Sequence, residues 1–196
     1  MPQRDISLEY RFYGKPLLIA DYNHHRNKIC ATLQDEGWAP PAGSMIAVTT
    51  FSNDSIQILD IKSGGVLGSL PTHKSGLRPM AFSKDESQIA IVGGDNSLTL
   101  WGLEPMKPLK DYNTLKVSEI SVVSFIPNND LMVTGHNDGS INIWDIGTGD
   151  ILEQFDAHDG WIETLAVSPN GRFLVSGSPD GKVILTELEI EESTQE

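Results

Sequence analysis

Short runs in which apolar and polar residues alternate follow one another along most of the chain, broken by Gly, Asn, Asp and Pro. Four of these runs superimpose: "SIQILDI" from Ser55, "SLTLWGL" from Ser97, "SINIWDI" from Ser140 and "KVILTEL" from Lys182. Leu59, Trp101, Trp144 and Thr186 hold one shared position, at intervals of 42, 43 and 42 residues. Before each run stands an apolar stretch: "IAVTT" from Ile46, "IAIVG" from Ile89, "LMVTG" from Leu131 and "FLVSG" from Phe173. The turns between them read "FSND", "GDN", "HNDG" and "SPDG". Further upstream lie "LRPMAFS" from Leu77, "ISVVSFI" from Ile120 and "IETLAVS" from Ile162, each followed by a second polar turn. A two-residue period is that of a half-buried strand, and no helical period interrupts it. Asp-Gly between alternating runs predicts a tight I′ hairpin turn, whose centre needs φ > 0. The expectation is an all-β chain with one antiparallel meander per unit.

Four strands in some forty residues is the beat of a propeller blade. The chain resembles the WD40 repeat family over roughly residues 45–190. The resemblance rests on the Trp144-Asp145 pair, the spacing, and "SPNGRFLVSGSPDGKV" from Ser168. It implies a hydrogen-bonded structural tetrad in each blade: a His before the first strand, a Ser or Thr in the second, an Asp in the next turn and the Trp in the third. Carried over by position, His73, Asp95 and Trp101 match in one unit, with Val92 where Ser or Thr belongs. Thr134, Asp138 and Trp144 match in the next, with Lys116 in place of the His. His158, Ser176 and Asp180 match in the last, with Thr186 in place of the Trp, and the first unit keeps only Thr49. No tetrad is expected to be complete. His158, Ser176 and Asp180 have the residue types of a catalytic triad, but the resemblance implies buried groups that satisfy one another. It also implies a partner-facing rim just before each first strand. Trp161 stands there, with Gly76 and Glu119 at matching positions and Glu163, Arg78 and Ser121 two residues further on.

At ~42 residues per unit, a chain of 196 residues holds four to five units, fewer than the ~290 residues a seven-bladed ring requires. The expected architecture is therefore an incomplete or open ring. In the leading reading the chain is part of a longer propeller. The alternatives are a ring completed by a second chain and a small closed ring. Residues 1–44 read as one divergent unit: "ISLEYRF" alternates, "KPLLIADY" is apolar, and "DEGWAPPAGS" is a loop. Residues 191–196 read as an acidic, frayed tail.

Charge sharpens the functional picture. The net charge of −13 is unevenly placed: residues 1–116 carry 12 Lys/Arg and 12 Asp/Glu, residues 117–196 carry 2 and 15. Nucleic-acid binding needs clustered cations, so it is not expected, whereas a basic peptide or protein surface would be steered to the acidic half. The single cysteine, Cys30, excludes an internal disulfide and suits a reducing compartment, the cytoplasm or the nucleus. No apolar run approaches membrane-spanning length and "MPQRDISLEYRF" lacks a secretory h-region, so no membrane partner is expected. Asp21, His24, His25 and Cys30 do not have metal-ligand spacing, and "VGGDNS" is a hairpin turn rather than a phosphate loop, so neither metal nor cofactor is expected. The leading functional expectation is a non-catalytic protein-interaction scaffold. The second is a sensor or regulatory segment of a larger signalling protein, such as a nucleotide-binding receptor. A propeller enzyme is the remote third. It would need inward carboxylates from several blades, and Asp95, Asp138 and Asp180 fall at hairpin turns.

Overall fold

A computed structural model describes residues 30–33, 45–49, 55–60, 65–71, 79–115 and 117–188. His73, Gly76, Arg78, Lys116, Asp21, His24, His25 and the tail 191–196 lie outside the described residues. Those described form fifteen strands in four antiparallel sheets, and no helix occurs among them. The first sheet is β1 (Cys30–Leu33), β2 (Met45–Thr49), β3 (Ser55–Asp60) and β4 (Val66–Pro71). The second is β5 (Met80–Phe82), β6 (Gln88–Val92), β7 (Leu98–Leu103) and β8 (Met106–Tyr112). The third is β9 (Ile120–Ile126), β10 (Leu131–His136), β11 (Ser140–Asp145) and β12 (Ile151–Asp156). The fourth is β13 (Thr164–Val167), β14 (Phe173–Gly177) and β15 (Val183–Glu187). Each sheet is a meander in chain order, and β1, β5, β9 and β13 adjoin one another in turn. This is the all-β, open arrangement expected of a partial propeller; the four sheets do not close on themselves. Cys30–Leu33, within the 1–44 stretch read as a divergent blade or partial blade, pairs with β2 as the fourth strand of the first sheet.

The forty-residue beat is a register. Leu59 opposes Ile46, Trp101 opposes Ile89, Trp144 opposes Met132 and Thr186 opposes Leu174. At the first three the ladder to the outer strand slips by one. Ile58 faces Gly68 but Leu59 faces Val66; Leu100 faces Lys110 but Trp101 faces Pro108; Ile143 faces Glu153 but Trp144 faces Ile151. A bulge at the same place in successive sheets adds the same extra twist to each outer strand. The left-over residues, Leu67, Leu109 and Leu152, are all exposed.

Strand alternation gives each sheet two apolar faces, and where two sheets adjoin the facing surfaces are buried against each other. One cluster, with Ile58, Ile89 and Phe82, lies between the first and second sheets. A second, with Leu98, Leu100, Met132 and Trp144, lies between the second and third. A third, with Ile141, Ile143, Ile162 and Leu174, lies between the third and fourth.

The hairpin turns also correct an expectation. They are three-residue loops with a single left-handed residue, not two-residue I′ turns. The Gly139 N–H donates to the His136 carbonyl (3.2 Å), the Asn96 N–H to Gly93 (3.0 Å) and the Gly181 N–H to Ser178 (3.2 Å). Only the third loop residue has positive φ: Asn96 at 67°, Gly139 at 87° and Gly181 at 85°. In each loop the preceding Asp folds back on the chain, accepting the N–H of Ser97 (3.2 Å), Ser140 (3.1 Å) or Lys182 (2.8 Å). This type I turn closed by an αL residue is the usual three-residue hairpin.

Two of these glycines give a controlled comparison. A Cβ on Gly139 would meet the His158 carbonyl oxygen of the next sheet at 2.0 Å, whereas one on Gly181 would meet nothing within 4 Å. Gly181→Ala should cost roughly 1–2 kcal/mol for the left-handed conformation alone. Gly139→Ala should cost about 3 kcal/mol or more, because backbone must also move. Equilibrium urea unfolding of the two variants measures the gap; equal losses would contradict the close approach.

Candidate interaction site

The third sheet contains a chain of hydrogen bonds whose direction can be assigned. The Ser118 carbonyl only accepts, so His136 Nδ1 carries a proton and donates to it (2.9 Å). In the neutral ring Nε2 is then an acceptor, and it receives the Thr134 hydroxyl (2.8 Å). Thr134 Oγ1 in turn accepts the indole N–H of Trp144 (2.8 Å). All three side chains are buried. The tetrad reading placed the His of this unit at residue 116 and found Lys; it is His136, at the end of β10, that supplies the imidazole. Asp138 also departs from the expected role. Its carboxylate accepts from the Ser140 hydroxyl (2.7 Å) and N–H, and only its charge reaches His136. Burial works to raise the Asp138 carboxyl, but those bonds and the nearby imidazole leave it below the ordinary carboxylate value.

The other units are simpler. In the second sheet Trp101 packs half-buried against the cluster facing the first sheet, and Val92 is fully buried. Asp95 accepts the Ser97 N–H there. A valine in place of the hydroxyl leaves no polar group to satisfy. In the fourth sheet His158 Nε2 meets Ser176 Oγ (2.9 Å) and Nδ1 meets Asp180 (3.0 Å). The distances are those of a nucleophile and its base, but Ser176 is 1% exposed and no substrate can reach it. Thr186 stands where Trp144 stands one sheet earlier.

A groove of about 440 Å³ between the third and fourth sheets is lined by Ser121, Asn137, Trp161, Ile162 and Glu163. Three of the rim residues named from the sequence therefore meet at one place, and Glu119 adjoins it by accepting the Asn137 side-chain N–H (3.0 Å). Trp161 is 51% exposed. Ser121 sits on a β-bulge, where Gly135 faces Val122 but His136 faces Ile120. The bulge aims its hydroxyl at the Ile162 carbonyl (2.6 Å) and the Gly135 carbonyl (3.1 Å). Ser121 is thus a strut between two sheets as well as part of the groove. Asn137 was not foreseen from the sequence.

Two predictions follow from the buried chain of bonds. Thr134→Val keeps the shape but strands an indole N–H and an imidazole nitrogen, so it should lower unfolding free energy by ~2–4 kcal/mol; Thr134→Ser should recover most of it. Chemical denaturation measures both. Burial also holds His136 below its ordinary pKa, against the opposing pull of the Ser118 bond and the Asp138 charge. A depressed histidine stabilises the fold fully above its unfolded value, about 6.5, and the contribution is lost as pH falls from there toward the folded value. Stability of the wild-type chain measured between pH 7 and pH 5 should fall more steeply than that of His136→Gln.

Comparison with known proteins agrees with this geometry. The WD40 family (WD domain, G-beta repeat) matches residues 109–145 and 149–186. WD repeat-containing protein 3 of Homo sapiens is 26% identical over 171 residues, covering 79% of this chain and 17% of its own length. The serine-threonine kinase receptor-associated protein of Dictyostelium discoideum is 31% identical over 130 residues, covering 66% of this chain and 43% of its own. A pre-rRNA-processing protein of Mycosarcoma maydis is 38% identical over 149 residues, covering 76% and 21%. The chain spans less than half the length of each of these relatives. With its repeated register and stacked meanders, the chain carries WD40 repeats at residues 109–145 and 149–186 and is similar to WD-repeat proteins.

Proposed function

We propose that the chain is a non-catalytic protein-interaction scaffold whose contact surface includes the groove at Trp161. The observation that carries this reading is one of contrast. Trp144, Thr134, His136, His158 and Ser176 are buried and bonded to each other or to backbone, whereas Trp161 stands half exposed over a groove. An accessible indole at a rigid rim is a typical interaction hot spot. The stacked sheets supply the rigidity, so a partner can dock without the frame changing shape. Charge supports a basic protein partner rather than nucleic acid, since Lys and Arg are scarce in residues 117–196. A regulatory segment within a longer protein, working in the cytoplasm, is compatible with the same surface, and the greater length of the relatives favours it.

The test is a comparison of purified variants against partners identified by mass spectrometry. Trp161→Ala should lose at least about tenfold in affinity for a direct protein partner. Glu153→Gln, on the outer strand β12, should bind as the wild type does. A partner held equally well by all three would remove the groove from the reading, and a wild-type chain that holds no protein would end it.

A further inference from the structure

We infer that the groove beside Trp161 receives an arginine side chain; this rests on the scaffold reading and names the chemistry of its partner. The argument is an inventory of donors and acceptors. One of the two Asn137 side-chain N–H groups is engaged by Glu119, and the amide oxygen is left to accept. The Ser121 hydroxyl proton points to backbone carbonyls, leaving the oxygen lone pairs. Glu163 carries a carboxylate, which at neutral pH only accepts. The backbone N–H groups are engaged as well: Asn137 donates to Glu119 (2.8 Å), Ile162 to His136 (3.0 Å) and Glu163 to Gly177 (2.9 Å). The groove thus presents acceptors and an aromatic face. Those three N–H groups are closed to an anion, while a donor-rich cation finds several acceptors at once.

Among the described residues of the third and fourth sheets, both cations are already paired. Residues 117–188 contain only Arg172 and Lys182. Arg172 is paired with Glu187 (2.8 Å) and Lys182 with Asp159 (2.6 Å). Neither is free to fill the groove, and the occupant assigned to it is an arginine of a protein partner. Arginine fits better than lysine because its guanidinium is planar. It can lie on the Trp161 indole while its edge forks onto the Glu163 carboxylate and reaches Asn137 Oδ1. A lysine ammonium is a point charge, and it cannot stack and fork together.

The experiment titrates the purified chain with the peptide Gly-Ser-Arg-Ser-Gly, acetylated and amidated at its ends, and with its lysine and citrulline counterparts. The readout is the Trp161 indole N–H signal in NMR, identified by its loss in Trp161→Phe. The arginine peptide should shift that signal saturably, the lysine peptide should bind at least about fivefold more weakly, and the uncharged citrulline peptide should not saturate. Glu163→Gln should weaken arginine binding about tenfold, and raising salt from about 50 to about 300 mM should weaken it further. Glu163 is exposed, so the variant is expected to fold, and an unchanged NMR spectrum elsewhere checks this. Citrulline binding as well as arginine, an indifferent Glu163→Gln, or no shift with any peptide would each overturn the inference. None of these touches the scaffold reading, which ends only if the wild-type chain holds no protein.

Discussion

A strand meander with apolar residues on both faces cannot satisfy itself, and the rest of this structure follows from that. Ile141 and Ile143 of β11 are 0% and 4% exposed because the fourth sheet lies over them. Their counterparts in β15, Val183 and Leu185, are 78% and 66% exposed, since no further sheet follows among the described residues. The side chains are of the same kind and the strands are in the same register; the only difference is the neighbour. Stability in such an array is a sum over contacts between adjoining units. The WD40 matches show how the chain enforces the adjacency. Residues 109–145 take in most of β8 of the second sheet and all of β9, β10 and β11 of the third, and 149–186 straddle the next boundary in the same way. Each repeat thus finishes one sheet and begins another, so neighbours are joined covalently before they pack.

Polar groups then fix the angle at which sheets meet. Asn96, in its left-handed turn, accepts the Ile120 N–H (2.8 Å) and donates to the Ser118 carbonyl (3.3 Å), tying the second sheet to the third. Tyr112 crosses the same interface, donating to the Ile146 carbonyl (3.1 Å) and meeting Trp144 edge to face. At the first turns, Lys84 donates to Asn128 (2.8 Å) and Asn128 donates to the Pro169 carbonyl (3.2 Å), a line across three sheets. Held along both sets of turns, the sheets have little freedom to pivot, and the Trp161 rim keeps its shape. Two side chains, Ser97 and Asn142, have buried polar atoms with no hydrogen-bond partner among the described residues, and nothing in the packing explains them.

Much of this was legible in the sequence because strand pairing is unforgiving. A slip of one residue would turn Ile141 and Ile143 to the wrong face, so the positions of Leu59, Trp101, Trp144 and Thr186 had to recur. What could not be read was whatever depended on counting loop residues or on contacts across sheets. Asp-Gly suggested an I′ turn, but Asn137, Asp138 and Gly139 make a loop of three. His136 was absorbed into that turn signature, and its pairing with Thr134 emerges only when β10 ends beside Ser118. Cys30–Leu33 lies too far from Met45, across a proline-rich stretch, for alternation to assign it to the first sheet. On the rim, Trp161, Glu163, Ser121 and Glu119 were visible by position, while Asn137 became part of the groove only through its bond to Glu119.

Residue type alone does not separate structural from recognising chemistry here; burial and prior commitment of hydrogen bonds do. His158, Ser176 and Asp180 have the identities and distances of a reacting set, yet Ser176 is closed to solvent and the imidazole is held by its neighbours. Trp144 and Trp161 are the same residue seventeen positions apart. The first has its N–H fixed inside the third sheet and its ring packed against the second, while the second tryptophan keeps an open aromatic face beside an exposed carboxylate. By engaging its imidazoles and hydroxyls in joining strands, the fold leaves at the rim mainly aromatic surface and acceptors. A surface with that composition discriminates by the charge and shape of what is brought to it, which is the kind of selectivity a scaffold requires.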